Sequence, residues 1–430
     1  MLKKIVHINL KLVGIILLLL IAAQIITAYF FGIMAENQFK SQFDKLTDSG
    51  FVKVVDYKYN RGWFVSSESV VLQLNNNTLT NISSLLPLKN TAESGIFSTE
   101  SSNYRISYTS KVVNGIFAGW MFGNIMPTIA YSKANIEMPE KISKYVQTFF
   151  KDEKPLVLTA VIYISGNGKY QVTSPIFDYE EALSGVKINW GGANLVIKFN
   201  KNFDKFNKYF TMPSLIFYAP TKGNIELSDI KFSSDSLSSV NDIKVGDTSF
   251  SLGKLSVKLA ESDVSKRFNL GDVISTSIGV NAVDFLNDIE IINPADFTLS
   301  NVNYHSTSND VGGYFNSDVI AGFDKLTSES AIYGPLDFNF SIKHVRSDKF
   351  SIVADLLESM ATIEKPTQEQ KEHFSQQLKL EMTPILIESP IASINKLTLK
   401  LPSGLMSING LVTTHGFESQ DMEDQSKFLN

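Results

Sequence analysis

Five histidines, His7, His305, His344, His373 and His415, are the side chains best suited to proton transfer or metal ligation. None lies four residues from another, and none joins an acidic cluster with metal-ligand spacing. Surface or hydrogen-bonded histidines are therefore expected, and no metal site. The chain has no cysteine, which excludes thiolate nucleophiles, disulfides and Cys-ligated zinc or iron–sulfur centres. Serine is abundant, yet there is no Gly-x-Ser-x-Gly elbow and no phosphate loop closing on Gly-Lys-Ser or Gly-Lys-Thr. Gly166-x-Gly168 lacks a third glycine and a following helix, so it reads as a turn. Asp178, Glu180 and Glu181 form an acidic patch. Splitting the pKa values of such a group requires burial or a charged neighbour, and a solvated loop is the simpler expectation. No catalytic residue and no cofactor are expected. Triads assembled from distant residues leave an enzyme possible but without positive support.

The elements available to position side chains are mostly strands. Phe51, Lys53, Val55, Tyr57 and Tyr59 alternate along one strand face, and Val70, Leu72 and Leu74 along another. With the turn Asn60-Arg61-Gly62 between them, these predict a hairpin. Tyr104, Ile106 and Tyr108 alternate with Arg105 and Ser107, and 156–164 is an apolar, β-branched run. Gly191-Gly192 between 187–190 and 193–199 predicts a second hairpin. One spacing recurs: Ile225-x-Leu227-x-x-Ile230-x-Phe232, Phe250-x-Leu252-x-x-Leu255-x-Val257, Phe297-x-Leu299-x-x-Val302-x-Tyr304 and Ala392-x-Ile394-x-x-Leu397-x-Leu399. The change of phase in mid-strand predicts a β-bulge bending an extended sheet with an apolar concave face. Helices are predicted over 139–151 and 347–360. A further helix is predicted from the capping box Thr367-x-x-Gln370 through Phe374 and Leu378.

Fold class follows as α+β, predominantly antiparallel β, with extended twisted sheets, a few packed helices and one N-terminal transmembrane helix. Residues 13–35 are uncharged. As a helix of ~1.5 Å rise per residue they reach about 35 Å, enough for a hydrocarbon core of ~30 Å. The run is too long for the h-region of a cleaved signal, so an uncleaved anchor is expected. Lys3, Lys4 and Lys11 precede it and no acid precedes Glu36, which keeps the leading end in the cytoplasm and sends the rest outside. The chain carries −5 overall and −8 over residues 36–430, with no basic run, so no nucleic-acid partner is expected. The expected segments are a basic cytoplasmic N-terminus (1–12), the transmembrane helix (13–35), a juxtamembrane helix (36–50), an N-terminal β-rich lobe (51–200), a C-terminal β-rich lobe with helices (201–416) and an acidic tail (417–430).

The stretch Tyr59-Asn60-Arg61-Gly62-Trp63-Phe64-Val65-Ser66-Ser67, soon after the apolar run, resembles a signature of the YdgA-like family, bacterial envelope proteins built around a domain of unknown function. Gly334-Pro335-Leu336-Asp337-Phe338-Asn339-Phe340 and the stretch from Ser389-Pro390-Ile391 to Pro402-Ser403-Gly404-Leu405 are similar to two others. The family often carries His-Gly-Pro near the third or fourth strand, where this chain reads Asn114-Gly115-Ile116-Phe117. The resemblance implies an inner-membrane protein facing the periplasm and transfers no catalytic residue. Its motif residues Tyr59, Arg61, Gly62, Trp63, Phe64 and Ser66 read as structural. Gly62 would supply a turn with φ > 0, Trp63 and Phe64 would anchor the hairpin in a core, and Arg61 would pair with an acid or a phosphate head group. Three functions stay open: a non-catalytic binding or envelope-assembly module, a hydrophobic-ligand or lipid handler using a curved sheet, and an envelope hydrolase without a recognisable motif. The expected partners are the inner membrane, through residues 13–35, and an envelope protein or lipid.

Overall fold

The structure, a computed structural model, describes residues 25–41, 52–74, 105–138, 140–151, 153–220, 222–241, 243–259, 296–328, 331–361, 367–414, 416–418 and 421. His7, His415, residues 13–24 and residues 42–50 lie outside them. Antiparallel strands dominate, with a few helices. Among the described residues no helix is long and apolar enough to cross a membrane. Contacts divide the chain into two compact units, one of residues 1–78, 99–174 and 196–203, the other of residues 79–98, 175–195 and 204–430. The expected lobe boundary at residue 200 falls inside the piece 196–203.

The first unit opens with helix α1 (25–41), which runs unbroken through the expected division at Ala35 and Glu36. Ala28, Ala35 and Phe39, spaced seven and four apart, form its fully buried stripe. Ala35 and Phe39 pack on Val112, Ile129, Ala130, Ala160 and Ile162. Burying Phe39 contributes roughly 1.5–3 kcal/mol. The sheet beneath is an antiparallel meander of β1 (Val52–Asn60), β2 (Val65–Leu74), β3 (Arg105–Asn114), β4 (Thr128–Glu137), β5 (Val157–Tyr163) and β6 (Gly168–Ser174). The expected hairpin forms, with Asn60 opposite Ser67 and a register shift between Val54 and Asp56. That bulge leaves Val55 exposed while Tyr57 and Tyr59 pack toward the core, so the single face expected for all three is broken there. The turn expected at Gly166 joins β5 to β6, with φ 82°. The helix expected over 139–151 is α2 (Glu140–Phe150).

The second unit begins with β7 (Phe177–Glu180) and β8 (Lys187–Trp190); β9 (Ala193–Phe199) follows, with residues 196–199 belonging to the first unit. The hairpin expected at Gly191-Gly192 does not form. β8 instead pairs with β7 and with β10 (Lys205–Ala219), and the Gly191 N–H bonds the Ser214 carbonyl at 2.8 Å. A Cβ on Gly191 would come within 2.5 Å of Ser214 Oγ, so the glycine serves close passage past β10 and not chain reversal.

Three long strands follow, β11 (Gly223–Ser238), β12 (Lys244–Leu259) and β13 (Asp296–Val311). They carry the first three recurring stretches, which pair with one another: Ile225↔Val257↔Phe297 and Phe232↔Phe250↔Tyr304. The bulge expected at the phase change is absent in these strands, because all of them change phase at the same level. Asp229 (φ 54°), Gly253 and Asn301 (φ 54°) stand opposite one another, and the register continues unshifted on both sides. A left-handed residue in each outer strand turns the pleat over together with its neighbour. Gly253 leaves the space, since a Cβ there would meet Asp229 Cβ at 3.0 Å. The crease continues to Asp324, which lies between β14 (Tyr314–Phe323) and β15 (Lys325–Ser328) and accepts from Asn301 Nδ2 at 2.7 Å. It reaches the cis Gly334-Pro335 bond between β16 (Ala331–Tyr333) and β17 (Leu336–Arg346). The fourth stretch, on β18 (Ile391–Leu401) paired with β19 (Gly404–Thr413), does carry a register shift between Ile394 and Leu397.

Helices α3 (Ser347–Ala361) and α4 (Gln368–Ile387) cover part of this sheet. Val353 and Ile385 pack with Ile243, Phe315 and Val345. The capping box forms in both directions, Gln370 N–H to Thr367 Oγ1 at 3.2 Å and Thr367 N–H to Gln370 Oε1 at 2.8 Å. Within the acidic tail, Phe417 and Asp421 are buried.

Candidate functional site

The residues of the first unit's signature converge where α1 meets the β1–β2 turn. Gly62 places its N–H 3.2 Å from Ser66 Oγ, which closes the turn. Its φ is not in the left-handed region, contrary to expectation. Glycine is needed there because a Cβ would lie 2.0 Å from the Val65 carbonyl oxygen. Asn114, the last residue of β3, is almost fully buried. Its Nδ2 donates to Ser66 Oγ at 2.9 Å and to the Gly62 carbonyl at 3.4 Å. Its backbone N–H donates to the Phe64 carbonyl at 2.7 Å. The helix closes over this knot at Gly32, where a Cβ would meet Asn114 Nδ2 at 3.1 Å and the Gly62 carbonyl at 3.5 Å.

Arg61 finds an acid. Its Nη1 lies 3.2 Å from Glu36 Oε2 on α1, and its guanidinium sits 5.9 Å from the Tyr29 ring centroid. Both partners of the ion pair are about one-third exposed, so solvent screening holds its contribution to at most about 1 kcal/mol. Trp63 packs on Tyr29 with centroids 5.2 Å apart. Trp63 and Phe64 are nonetheless 56% and 45% exposed, so neither anchors the hairpin in a core as expected. The large aromatic that packs inward from this turn's strands is the half-buried Tyr59, 6.3 Å from the Phe39 ring.

Below the clasp the sheet buries a carboxyl. Glu68 is 2% exposed. Its Oε2 accepts from Ser110 Oγ at 3.1 Å, and its Oε1 has no partner among the described residues. Burial pushes the carboxyl up to about 7, with the hydroxyls of Ser110 and Tyr108 pulling the other way. Burial also raises Tyr59 to about 12, and raises Tyr108 and Tyr170, both further disfavoured as anions by the Glu68 charge. A carboxyl titrating near neutrality is suited to general acid–base work only where a substrate can reach it. Glu68 is closed in by Tyr108 and Ser110 of the neighbouring strand, so its work is confined to the interior.

The remaining polar residues singled out in the sequence do not gather. Asp178 bonds Asn189 Nδ2 at 2.7 Å and Glu180 pairs with Lys187 at 3.0 Å, both at the surface. His344 (φ 60°) stacks on Tyr314. His373 lines a cleft of 310 Å³ between α3 and α4, with Leu356, Met360 and Phe374 but also Glu369 and Gln377. His305 Nδ1 lies 2.9 Å from Ser249 Oγ, the spacing of a nucleophile and its base. The far nitrogen, however, meets Thr307 at 3.3 Å, and the Asp247 carboxylate reaches that threonine instead of the imidazole. Among the described residues no group of three or more His, Cys, Asp or Glu could hold a metal ion.

A family model described as a bacterial protein of unknown function, DUF945, matches residues 9–430. The chain belongs to this family. No curated protein and no solved structure matches it. In this DUF945 chain, then, the site is defined by its own geometry. Of the six residues read as structural, Arg61, Gly62, Trp63 and Ser66 meet at the clasp, Tyr59 packs beneath α1, and Phe64 contributes its carbonyl. Sequence reasoning missed Glu68, and it marked Asn114 only as a departure from the family's His-Gly-Pro, without its structural role. The alternation of Val70, Leu72 and Leu74 carries the signal for Glu68: the same parity runs back through Glu68 to Ser66 and puts both on the buried face.

Proposed function

We propose that this DUF945 protein is a single-pass protein of the bacterial inner membrane whose body stands in the periplasm and acts without catalysis, as a binding or envelope-assembly module. The observation that carries the reading is the clasp. Arg61, Gly62 and Ser66, in the distinctive stretch after the apolar run, and Asn114 from β3 build the turn on which α1 closes, through the Arg61–Glu36 pair and the close approach at Gly32. A chain that builds its signature around the junction of an N-terminal apolar segment with a folded body is organised to fix that body relative to the segment. The uncharged residues before α1 and the lysines ahead of them support an anchor with the body outside.

A C-terminal fusion to an enzyme active only in the periplasm tests the placement. Activity is expected, and a fusion active only as a cytosolic reporter would end the reading. Catalysis is tested with Ser249→Ala and His305→Ala. Both are expected to rescue whatever envelope defect deletion of the protein produces, and failure of either to rescue it would move the account to a hydrolase built on that pair.

A further inference from the structure

One end of the first unit's sheet is covered with apolar side chains that face outward. Register places the β1–β2 turn, the loop between β3 and β4 and the β5–β6 turn at this same end: Val65 stands opposite Val113, and Thr128 opposite Tyr163. The turn presents Trp63 and Phe64. The loop presents Trp120 (56% exposed), Ile125 (81%) and Met126 (61%). Helix α1 adds Ile26 and Phe30 beside Tyr29, whose ring touches Trp63. Residues 115–127 contain no charged side chain.

The loop does not expose these groups for want of structure. A 3₁₀ turn over Trp120–Phe122 ends at left-handed Gly123. The Trp120 indole donates to the Ile125 carbonyl at 3.1 Å, and the Met126 N–H is held by Asn124 Oδ1 at 3.2 Å. Phe122 stacks on Tyr131 with centroids 4.1 Å apart. An ordered, uncharged loop that turns isoleucine and methionine away from the core marks a surface that is covered in use.

The length of the apolar segment says by what. Docking begins at Ala28, which is fully buried, so from Val13 only the 15 residues to Thr27 precede it. As a helix these reach about 22 Å, short of a hydrocarbon core of ~30 Å. The segment crosses only if the docked end of α1, and the rim beside it, sink into the boundary layer. Tryptophan and tyrosine are the side chains favoured in that layer, and Trp63 and Tyr29 meet at this rim.

We infer that the rim formed by Trp63, Phe64, Trp120, Ile125 and Met126 lies in the outer interfacial layer of the bilayer, so that the first unit rests on the membrane instead of hanging from it. This rests on the anchored reading above. The test keeps the full chain and uses the fact that it has only three tryptophans, Trp63, Trp120 and Trp190. Trp190→Phe leaves both rim indoles as the sole reporters. The protein is reconstituted into phosphatidylcholine–phosphatidylglycerol vesicles and floated on a density gradient. Its emission is then compared in lipids brominated near the head group and deep in the chain. Co-flotation with loss of about half the emission to shallow bromines, less to deep ones, and little quenching by aqueous iodide is expected. Ile125→Ser with Met126→Ser, both at exposed positions, should weaken the shallow quenching without altering far-UV dichroism. Co-flotation with full quenching by iodide and none by bromine would overturn the rim while leaving the anchor. Protection from both quenchers would overturn it in favour of a second copy or a protein partner on that face. Failure to float would remove the anchored reading and the rim together.

Discussion

The two units bury different polar groups. In the first, Ser66, Glu68, Ser110 and Asn114 are buried and tie strands to the turn, a carboxyl and a carboxamide among them, and the Arg61–Glu36 pair ties the turn to the helix. In the second, the buried polar side chains are mostly serines, such as Ser347, bonded by Asn241 Nδ2 at 2.7 Å, and the charged pairs lie at the surface: Lys396 with Asp337 and Arg346 with Asp348. There the shape comes from backbone, a crease of left-handed or glycine residues crossing β11–β13 at one level. The lesson is that the recognisable stretch Tyr59–Ser67 lies where buried polar groups bond one another, whereas the other two, 334–340 and 389–405, lie in the second unit. Buried polar groups tolerate few replacements, because each lost partner exposes the full cost of desolvation. A surface pair or a crease in a half-exposed sheet has many acceptable sequences.

The sharpest way to break the comparison is a pair of glycine substitutions. Gly62→Ala forces a Cβ to within 2.0 Å of a backbone carbonyl, whereas a Cβ on Gly410 of the second unit meets nothing within 4 Å. Gly62→Ala is expected to destabilise the first unit by roughly 3 kcal/mol or more, and Gly410→Ala to stay within about 0.5 kcal/mol. Denaturant unfolding followed by Trp63 and Trp120 for the first unit and by Trp190 for the second separates the two effects. Equal losses would dissolve the distinction.

Glu68→Gln comes next and has the opposite sign. The folded carboxyl titrates near 7 instead of its ordinary value near 4.5, so between those values the folded protein holds a proton that the unfolded chain has released. Stability therefore falls as pH rises through that window and is flat above it. The glutamine variant removes this fall. It is expected to be more stable than the parent by up to about 3 kcal/mol at pH 8 and near equal to it at pH 4. Melting curves at both pH values check the crossing. A pH-independent difference would mean that Glu68 is not sealed.

These two residues also show what the sequence discloses and what it withholds. The hairpin, the capping box at Thr367 and the helix at Ser347 follow from spacing alone, because they are local. Gly62 was identified as special for the wrong reason: collision with Val65 depends on how the turn closes, which composition does not reveal. Gly191-Gly192 has the composition of a hairpin turn, yet β8 takes β7 and β10 as its neighbours instead. Trp63 and Phe64 are of a type usually buried, and only the packing of α1 shows that Tyr59 and Phe39 take the interior instead. Asn114 stands out only as the place where the family's His-Gly-Pro is missing; its structural role is not legible, since its partners, Ser66 and Gly62, lie 48 and 52 residues away.

Smaller effects sharpen the contrast. Asn114→Ala leaves Ser66 Oγ and the Gly62 carbonyl without that donor and should cost about 1–3 kcal/mol, read by the first unit's fluorescence. Asn301→Ala in the crease loses the bond to Asp324 at the surface and keeps a left-handed φ on an ordinary residue. A loss of about 1–2 kcal/mol, confined to the second unit, is expected, with Asn301→Gly recovering most of it. If glycine is no better than alanine, φ at the crease is not what matters.

The account stands on the docking of α1 by the clasp, and hydrogen exchange tests it most directly. Residues 36–41 lie beyond the apolar segment, so their amides report on the body and not on lipid. In the full chain in vesicles they are predicted to exchange as slowly as those of β3 and β4, and Asn114→Ala should speed the helix and the strands together. Fast exchange of residues 36–41 over an otherwise protected sheet, or protection that Asn114→Ala leaves untouched, would contradict it.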